Sequence, residues 1–164
     1  MKKSIASLLA LCLIPALASA GDWPQFRGPL SNGVAEGTGT PTKLSDKSIA
    51  WTIDLPGRGI SSPIIVGEKV FVTCSSGADQ NRLHVICLSA KDGSKIWERQ
   101  FWATGRTMTH QKIGVATSSP ASDGKRVFAL FSCNDLVCLD LDGNLQWLRG
   151  LTRDYPNASN SLGM

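Results

Sequence analysis

Cysteine and histidine are the side chains best suited to metal, redox or acid–base work, and their spacing in this chain excludes most of it. Cys74, Cys87, Cys133 and Cys138 follow a fifth cysteine, Cys12, which lies in an N-terminal apolar run. None forms a CxxC pair, and His84 and His110 lack the spacing to complete a zinc set with them. The four later cysteines are an even number, which permits disulfides in an oxidising compartment. His84 sits within an apolar run, with no Ser or Cys arrangement and acidic orienter legible around it, so it reads as a packed or rim histidine. A second group is cationic. Arg58, Arg106, His110, Lys112 and Arg153 fall in irregular segments, where they could meet an anionic or carbohydrate-like ligand or stand as solvated loop charge. No residue is assigned a catalytic, cofactor-binding or metal-binding role.

The N-terminus bears on compartment rather than fold. Lys2 and Lys3 precede an apolar run at 5–17 that ends in Ala18-Ser19-Ala20, the pattern of a secretory signal peptide with removal expected after Ala20. The run is shorter than the roughly 18 residues of a spanning helix, and no second run of that length follows, so no membrane span is expected. Cys12 lies inside the run behind Leu11, which suits a leader core rather than lipid attachment. Export places the mature chain in the periplasm or outside the cell. Without Lys2 and Lys3 the formal charge falls from +4 to +2, scattered and of mixed sign, which does not suggest a nucleic-acid partner.

The elements that must position these residues are short and repeated. After a Gly-, Pro-, Ser- and Thr-rich lead-in at 21–48, whose Trp23 and Phe26 are expected to pin it to the domain surface, β-rich runs occur at 49–54, 62–66, 69–73, 83–88, 95–101, 125–131, 136–141 and 144–149. Gly67, Asp92-Gly93, Asp123-Gly124 and Asp142-Gly143 mark tight turns between them. Nothing from 49 to 149 reads as a helix, so the class is all-β. One phrase occurs twice: Ser61-Ser62-Pro63, Gly67, Val70-Phe71, Cys87-Leu88, Asp92-Gly93, Trp97, and then Ser118-Ser119-Pro120, Gly124, Val127-Phe128, Cys138-Leu139, Asp142-Gly143, Trp147. Up to the Phe, every matched position is displaced by 57. Each copy parses as a four-stranded antiparallel meander, and tandem units of that kind are propeller blades, here at 61–101 and 118–150. The runs are apolar on both faces, as sheets sandwiched between neighbouring blades should be. Trp97 is followed by Glu98 and Trp147 by Leu148, so the Trp-Asp type of blade fits poorly. If the two hairpins share a register, Phe131 faces Cys138 across the Asn134-Asp135 turn, and 57 residues earlier Cys74 faces Cys87, which would allow a Cys74–Cys87 disulfide.

Cys87-Leu-Ser-Ala-Lys-Asp-Gly93-Ser-Lys-Ile-Trp97 resembles the tryptophan-docking motif of the pyrroloquinoline quinone (PQQ) repeat, and Cys138-Leu-Asp-Leu-Asp-Gly143-Asn-Leu-Gln-Trp147 is similar, one residue shorter. The stretches Asp22-Trp23-Pro24-Gln25-Phe26-Arg27-Gly28-Pro29, Leu55-Pro56-Gly57-Arg58-Gly59 and Asp154-Tyr155-Pro156-Asn157 extend the likeness to exported bacterial PQQ-like propellers. The resemblance implies that each Trp packs between its own blade and the next while the Gly permits close approach. True quinone dehydrogenases of this architecture carry adjacent cysteines, a calcium site and a catalytic Asp, none of which can be matched here, so no cofactor is carried over.

Propellers close with about 4 to 8 blades of roughly 40 to 50 residues. Two full blades and a stray outer strand at 49–54 are therefore read as an incomplete propeller, 49–164, from the N-terminal part of a longer protein, prone to self-association. Long connections at 56–60, 75–82, 102–117 and 151–164 are expected on one face, opposite the tight turns, and would carry any protein, small-molecule or carbohydrate ligand. Two functions follow: an exported non-catalytic binding or assembly scaffold, or part of a PQQ-dependent dehydrogenase whose active residues lie in other blades.

Overall fold

The computed structural model describes residues 21–35, 42–110 and 112–157; the expected signal peptide at 1–20 and the last seven residues of the expected propeller lie outside them. Two antiparallel meanders dominate. The first contains β1 (Ile64–Val66), β2 (Lys69–Ser76), β3 (Arg82–Ser89) and β4 (Lys95–Trp102), hydrogen-bonded in sequence order. The second repeats the order with β5 (Ala121–Ser122), β6 (Arg126–Leu130), β7 (Asp135–Asp140) and β8 (Leu145–Gly150). A single helical turn, α1 (Leu151–Asp154), follows, and a short 3-10 turn, Asp46–Ser48, precedes the first sheet. The turn glycines Gly67, Gly93, Gly124 and Gly143 all have positive φ, as the tight hairpins require.

β3 is buried along nearly its whole length because both of its faces are covered. Leu83, Val85 and Cys87 join Phe71, Ile64 and Trp97 against Val127, Ala129, Val137 and Leu139 of the second sheet, which forms the inter-blade core. The alternate residues Ile86 and Leu88, with Val70 and Cys74, pack under Trp51, Ile53 and Leu55. Strand alternation thus sends successive apolar side chains into two different cores.

The repeated Cys positions are explained by the rows they stand in. Phe71 pairs with Cys87 and Cys87 with Trp97, while Phe128 pairs with Cys138 and Cys138 with Trp147. The outer members of each row still touch, with ring centroids 5.8 Å apart for Phe71 and Trp97 and 6.1 Å apart for Phe128 and Trp147. Two aromatics two strands apart can meet only over a small side chain, and a cysteine supplies it. A register shift directly after each Cys marks the same place in both blades.

Trp97 then closes on a glycine turn of the following hairpin. The Trp97 indole donates to Leu141 O at 3.0 Å, and its ring lies where a Cβ on Gly143 would be, 2.7 Å away. Arg99 adds a hydrogen bond to Gly143 O at 2.7 Å. Trp51 repeats the arrangement one blade earlier, donating to Ala90 O at 3.0 Å with its ring against Gly93. Trp147 meets no such turn among the described residues and is 38% exposed. Lys69 reinforces the Trp97 seam through Leu141 O and Asp142 Oδ1, and Ser62 N donates to Ser119 Oγ across the repeat offset.

Three expectations need correction. The segment 49–54 is not a strand and joins neither sheet; its contribution is the Trp51 dock. Cys74 pairs with His84, not Cys87, because β2 and β3 run farther before turning than the shorter second hairpin does. Phe131 is a turn residue, its N–H bonded to Asp135 O, and the four described cysteines are free thiols. Lastly, Phe26 is 61% exposed and pins nothing. The lead-in is held by Asp22, which accepts Gly67 N–H, by a Trp23–Ile65 bridge, and by Pro24 O, which accepts Ser122 N–H.

Trp97→Ala is expected to cost roughly 3–5 kcal/mol in urea unfolding, and Trp147→Ala markedly less because that indole is partly in solvent. Equal losses would contradict the seam described above. Cys87→Leu is expected to cost about 1–3 kcal/mol by separating Phe71 from Trp97, whereas Cys87→Ala is tolerated better. Thermal melts of the two variants test the ordering. Alkylation of unreduced, unfolded protein should label both Cys74 and Cys87, and a peptide linking them would reverse the register assignment.

Candidate functional site

The irregular connections gather at one end of the sheets and are tied into a layer by hydrogen bonds between loops. Arg58 exchanges backbone hydrogen bonds with Ser75, Ile60 N donates to Ala116 O, Ala103 N to Asn81 O, Ser132 N to Val115 O, and Leu151 N to Asn134 O. The expectation of one long-loop face therefore describes the molecule, although the β2–β3 connection shrinks to 77–81.

Asp135 organises the part of this layer next to α1. Its carboxylate is fully buried and accepts Thr104 N at 2.7 Å, the Thr104 hydroxyl, and the Cys133 thiol at 3.1 Å. Burial, reinforced by the Asp135 carboxylate, pushes the Cys133 thiol up to about 12. Gly105 follows Thr104 and packs directly on Cys133 O, leaving no space for a Cβ. The loop is fixed at the point where it turns to present Arg106.

Two clefts open on this layer. One, of about 560 Å³, is lined by Thr104, Gly105, Arg106, Thr152 and Arg153. The other, of about 390 Å³, lies between Ala78–Gln80 and Arg106–Thr109 and shares Arg106. Of the five loop cations named from sequence, the structure brings Arg106 and Arg153 to a common cleft. Arg58 is engaged with Ser75 and runs along Gly114, while His110 Nδ1 accepts the Lys112 N–H; none of these three lines either cleft.

His84 has the partners that sequence reading did not find. Its Nδ1 lies 2.7 Å from Glu98 Oε1 and its Nε2 2.7 Å from Ser76 Oγ, a line of hydroxyl, imidazole and carboxylate across β2, β3 and β4. Glu98 also accepts Lys95 Nζ at 2.7 Å and Gln100 Nε2 at 3.1 Å. These are the group types of an acyl-transfer triad. With the imidazole only 2% exposed and Glu98 occupied by two further donors, the arrangement works as a strut joining three strands. The signal was available in the register: a Cys87–Trp97 pair puts His84 opposite Gln100 and diagonal to Glu98. Among the described residues, no three His, Cys, Asp or Glu side chains stand close enough together to hold a metal ion.

Tandem four-stranded meanders, seam tryptophans docked on glycine turns and one face of cross-tied loops define a PQQ-like repeat β-propeller. Residues 33–162 match the family described as outer membrane protein assembly factor BamB, and the chain belongs to that family. The crystal structure of BamB from Moraxella catarrhalis is similar at 22% identity with a TM-score of 0.46, covering 61% of this chain and 27% of that one. The chain thus spans about a quarter of that structure's length. No curated protein matches it.

The Lys95 hydrogen bond, helped by those from His84 and Gln100 against an opposing effect of burial, holds the Glu98 carboxyl down at about 2 from an ordinary 4.5. A carboxyl depressed on folding contributes stability that is present above about pH 4.5 and disappears as the pH falls through about 2. Glu98→Gln is therefore expected to lower stability at pH 7 by about 1–3 kcal/mol, the scale of hydrogen bonds to a charged group. The gap to the parent chain should narrow steadily below pH 4.5. Urea titrations at several pH values measure it, and a gap constant down to pH 2 would remove Glu98 as its source.

Proposed function

We propose that this chain is a non-catalytic propeller scaffold, exported to the periplasm, that binds a polypeptide engaged in outer-membrane protein assembly on its long-loop face. The observation that carries this reading is the contrast between the two ends of the sheets. At one end, tight hairpins are consumed by seam contacts: Gly93 and Gly143 by tryptophan rings, and Leu141 and Asp142 by Lys69. At the other, loops held rigid by one another leave two clefts and an array of exposed polar and cationic groups. A rigid framework with a decorated loop face is the usual arrangement for binding. The family description, outer membrane protein assembly factor, supplies the class of partner.

The leader-like segment at 1–20 supports export, and no quinone is assigned to this chain. Leu145 and Trp147 of β8 are both exposed apolar side chains, which favour self-association when nothing covers them.

Photocrosslinking distinguishes the faces. In cells making the full chain, a photoreactive residue at Thr107 is expected to yield protein adducts and one at Lys125, on the hairpin face, few or none. Equal yields, or adducts only from Lys125, would reject the assignment of the binding face. N-terminal sequencing of the protein released from the periplasm should begin at Gly21, and retention of Met1 in the cytoplasm would remove export.

A further inference from the structure

We propose that Trp102 is the stacking platform of a binding site for a β-linked, gluco-configured oligosaccharide at the end of β4. The chain has five tryptophans, and the fold accounts for four of them. Trp23 joins the strap to Ile65 and lies on Gly28, Trp51 and Trp97 dock on Gly93 and Gly143, and Trp147 takes the docking position of the second repeat. Trp102 is the fifth. It stands five residues beyond Trp97, whereas the residue five beyond Trp147 is Thr152, in α1. The repeat therefore does not call for an indole at this place, and the side chain is 63% exposed.

Although exposed, the ring is held. Arg82, its register partner on β3, lies over the ring with the guanidinium carbon 4.6 Å from the centroid. Arg82 donates to Gln100 Oε1 at 3.1 Å, Gln100 Nε2 donates to Glu98 Oε1 at 3.1 Å, and Glu98 is fixed by Lys95 and His84, each at 2.7 Å. A chain of polar contacts thus runs from the buried imidazole to the surface indole. It can do so because 98, 100 and 102 share one face of β4, and 82 and 84 share the matching face of β3. Next to the ring the backbone is tied as well, by Ala103 N–H on Asn81 O at 2.9 Å. An aromatic side chain already clamped in place loses little freedom when a ligand stacks on it.

The surroundings select the ligand. An apolar peptide side chain is bound best in an apolar pocket, whereas this indole stands beside a guanidinium and a carboxamide. A sugar ring matches both: its axial C–H groups form an apolar face that packs on an indole, and its hydroxyls exchange hydrogen bonds with guanidinium and amide. In β-linked gluco-configured chains the ring substituents are equatorial, so each unit offers C–H surface on both faces. The platform is open and shallow, so millimolar affinity is expected. This site is separate from the two clefts that share Arg106, and it does not rest on the scaffold reading.

The test is a heteronuclear NMR titration of the full chain with chitotetraose, following the indole N–H signals. That of Trp102 is identified by its loss in Trp102→Phe. Chitotetraose is expected to shift the Trp102 signal in a saturable manner and to leave that of Trp147 unmoved. Trp102→Ala should weaken binding, read from the Gln100 and Ala103 amides, by roughly tenfold, the scale of one aromatic stacking contact. Arg82→Ala should weaken it by about threefold, at the low end for a hydrogen bond. Trp147→Ala removes another exposed indole and should leave binding unchanged. No saturable shift at Trp102, shifts confined to other indoles, or undiminished affinity in Trp102→Ala would overturn the proposal. The parent-chain shifts stand as a readout even where a variant is unstable. Acetyl-leucine amide and adenosine monophosphate serve as peptide and nucleotide arms, and tighter binding of either at Trp102 would overturn the assignment to a sugar.

Discussion

An indole laid on a glycine turn is the contact on which this structure depends. A sheet with two apolar faces is unstable unless both are covered, and each blade is covered by an aromatic ring from the chain before it. The glycine is required twice over at Gly143, for its positive φ and because any Cβ there would enter the Trp97 ring. The indole N–H is also satisfied, on Leu141 O, so the seam buries a large surface without stranding a donor. Phe71 and Cys87 extend the same logic into the blade. The cysteine is small so that Phe71 can support the tryptophan from behind.

This division of labour explains why polar residues concentrate where they do. The seam consumes the hairpin end, and the loop end is stabilised by backbone hydrogen bonds between connections that have little regular structure of their own. Asp135 is the exception that proves useful: a buried carboxylate held by donors from Thr104 and Cys133 fixes a loop that would otherwise need apolar packing. The Ser76–His84–Glu98 line plays a comparable part on the opposite side of the first blade, joining strands through side chains as well as through the ladder.

Much of the fold was legible because the repeat is carried by residues with few substitutes. Gly93 and Gly143 mark turns, Trp97 and Trp147 mark outer strands, and two copies at a fixed offset reveal a tandem architecture. Pairing was less legible. The offset of 57 holds from Ser61 to Phe71 and then fails, because the first hairpin is longer, so carrying it on to Phe131 placed Cys74 opposite the wrong residue. The candidate cleft was visible only as a scatter of cations. Arg106 and Arg153 are 47 positions apart, and what brings them together is Asp135 and Asn134, which in sequence look like an ordinary turn. Periodicity reports which residues face a core, but not which loops lean on one another.

The lead-in strap has a bearing on timing. Asp22 and Trp23 bond to Gly67 and Ile65, while Pro24 receives Ser122 from the next blade. In a chain that emerges N-terminus first, Asp22 and Trp23 find their partners once the first hairpin is out, but Pro24 stays unengaged until the inner strand of the second blade has appeared, nearly a hundred residues later. Contacts so distant in sequence close late, since the intervening loop entropy is repaid only when both ends are in place. The strap acts as a latch with two catches: Asp22 and Trp23 fasten to the first blade alone, and Pro24 fastens only when the second blade stands beside it.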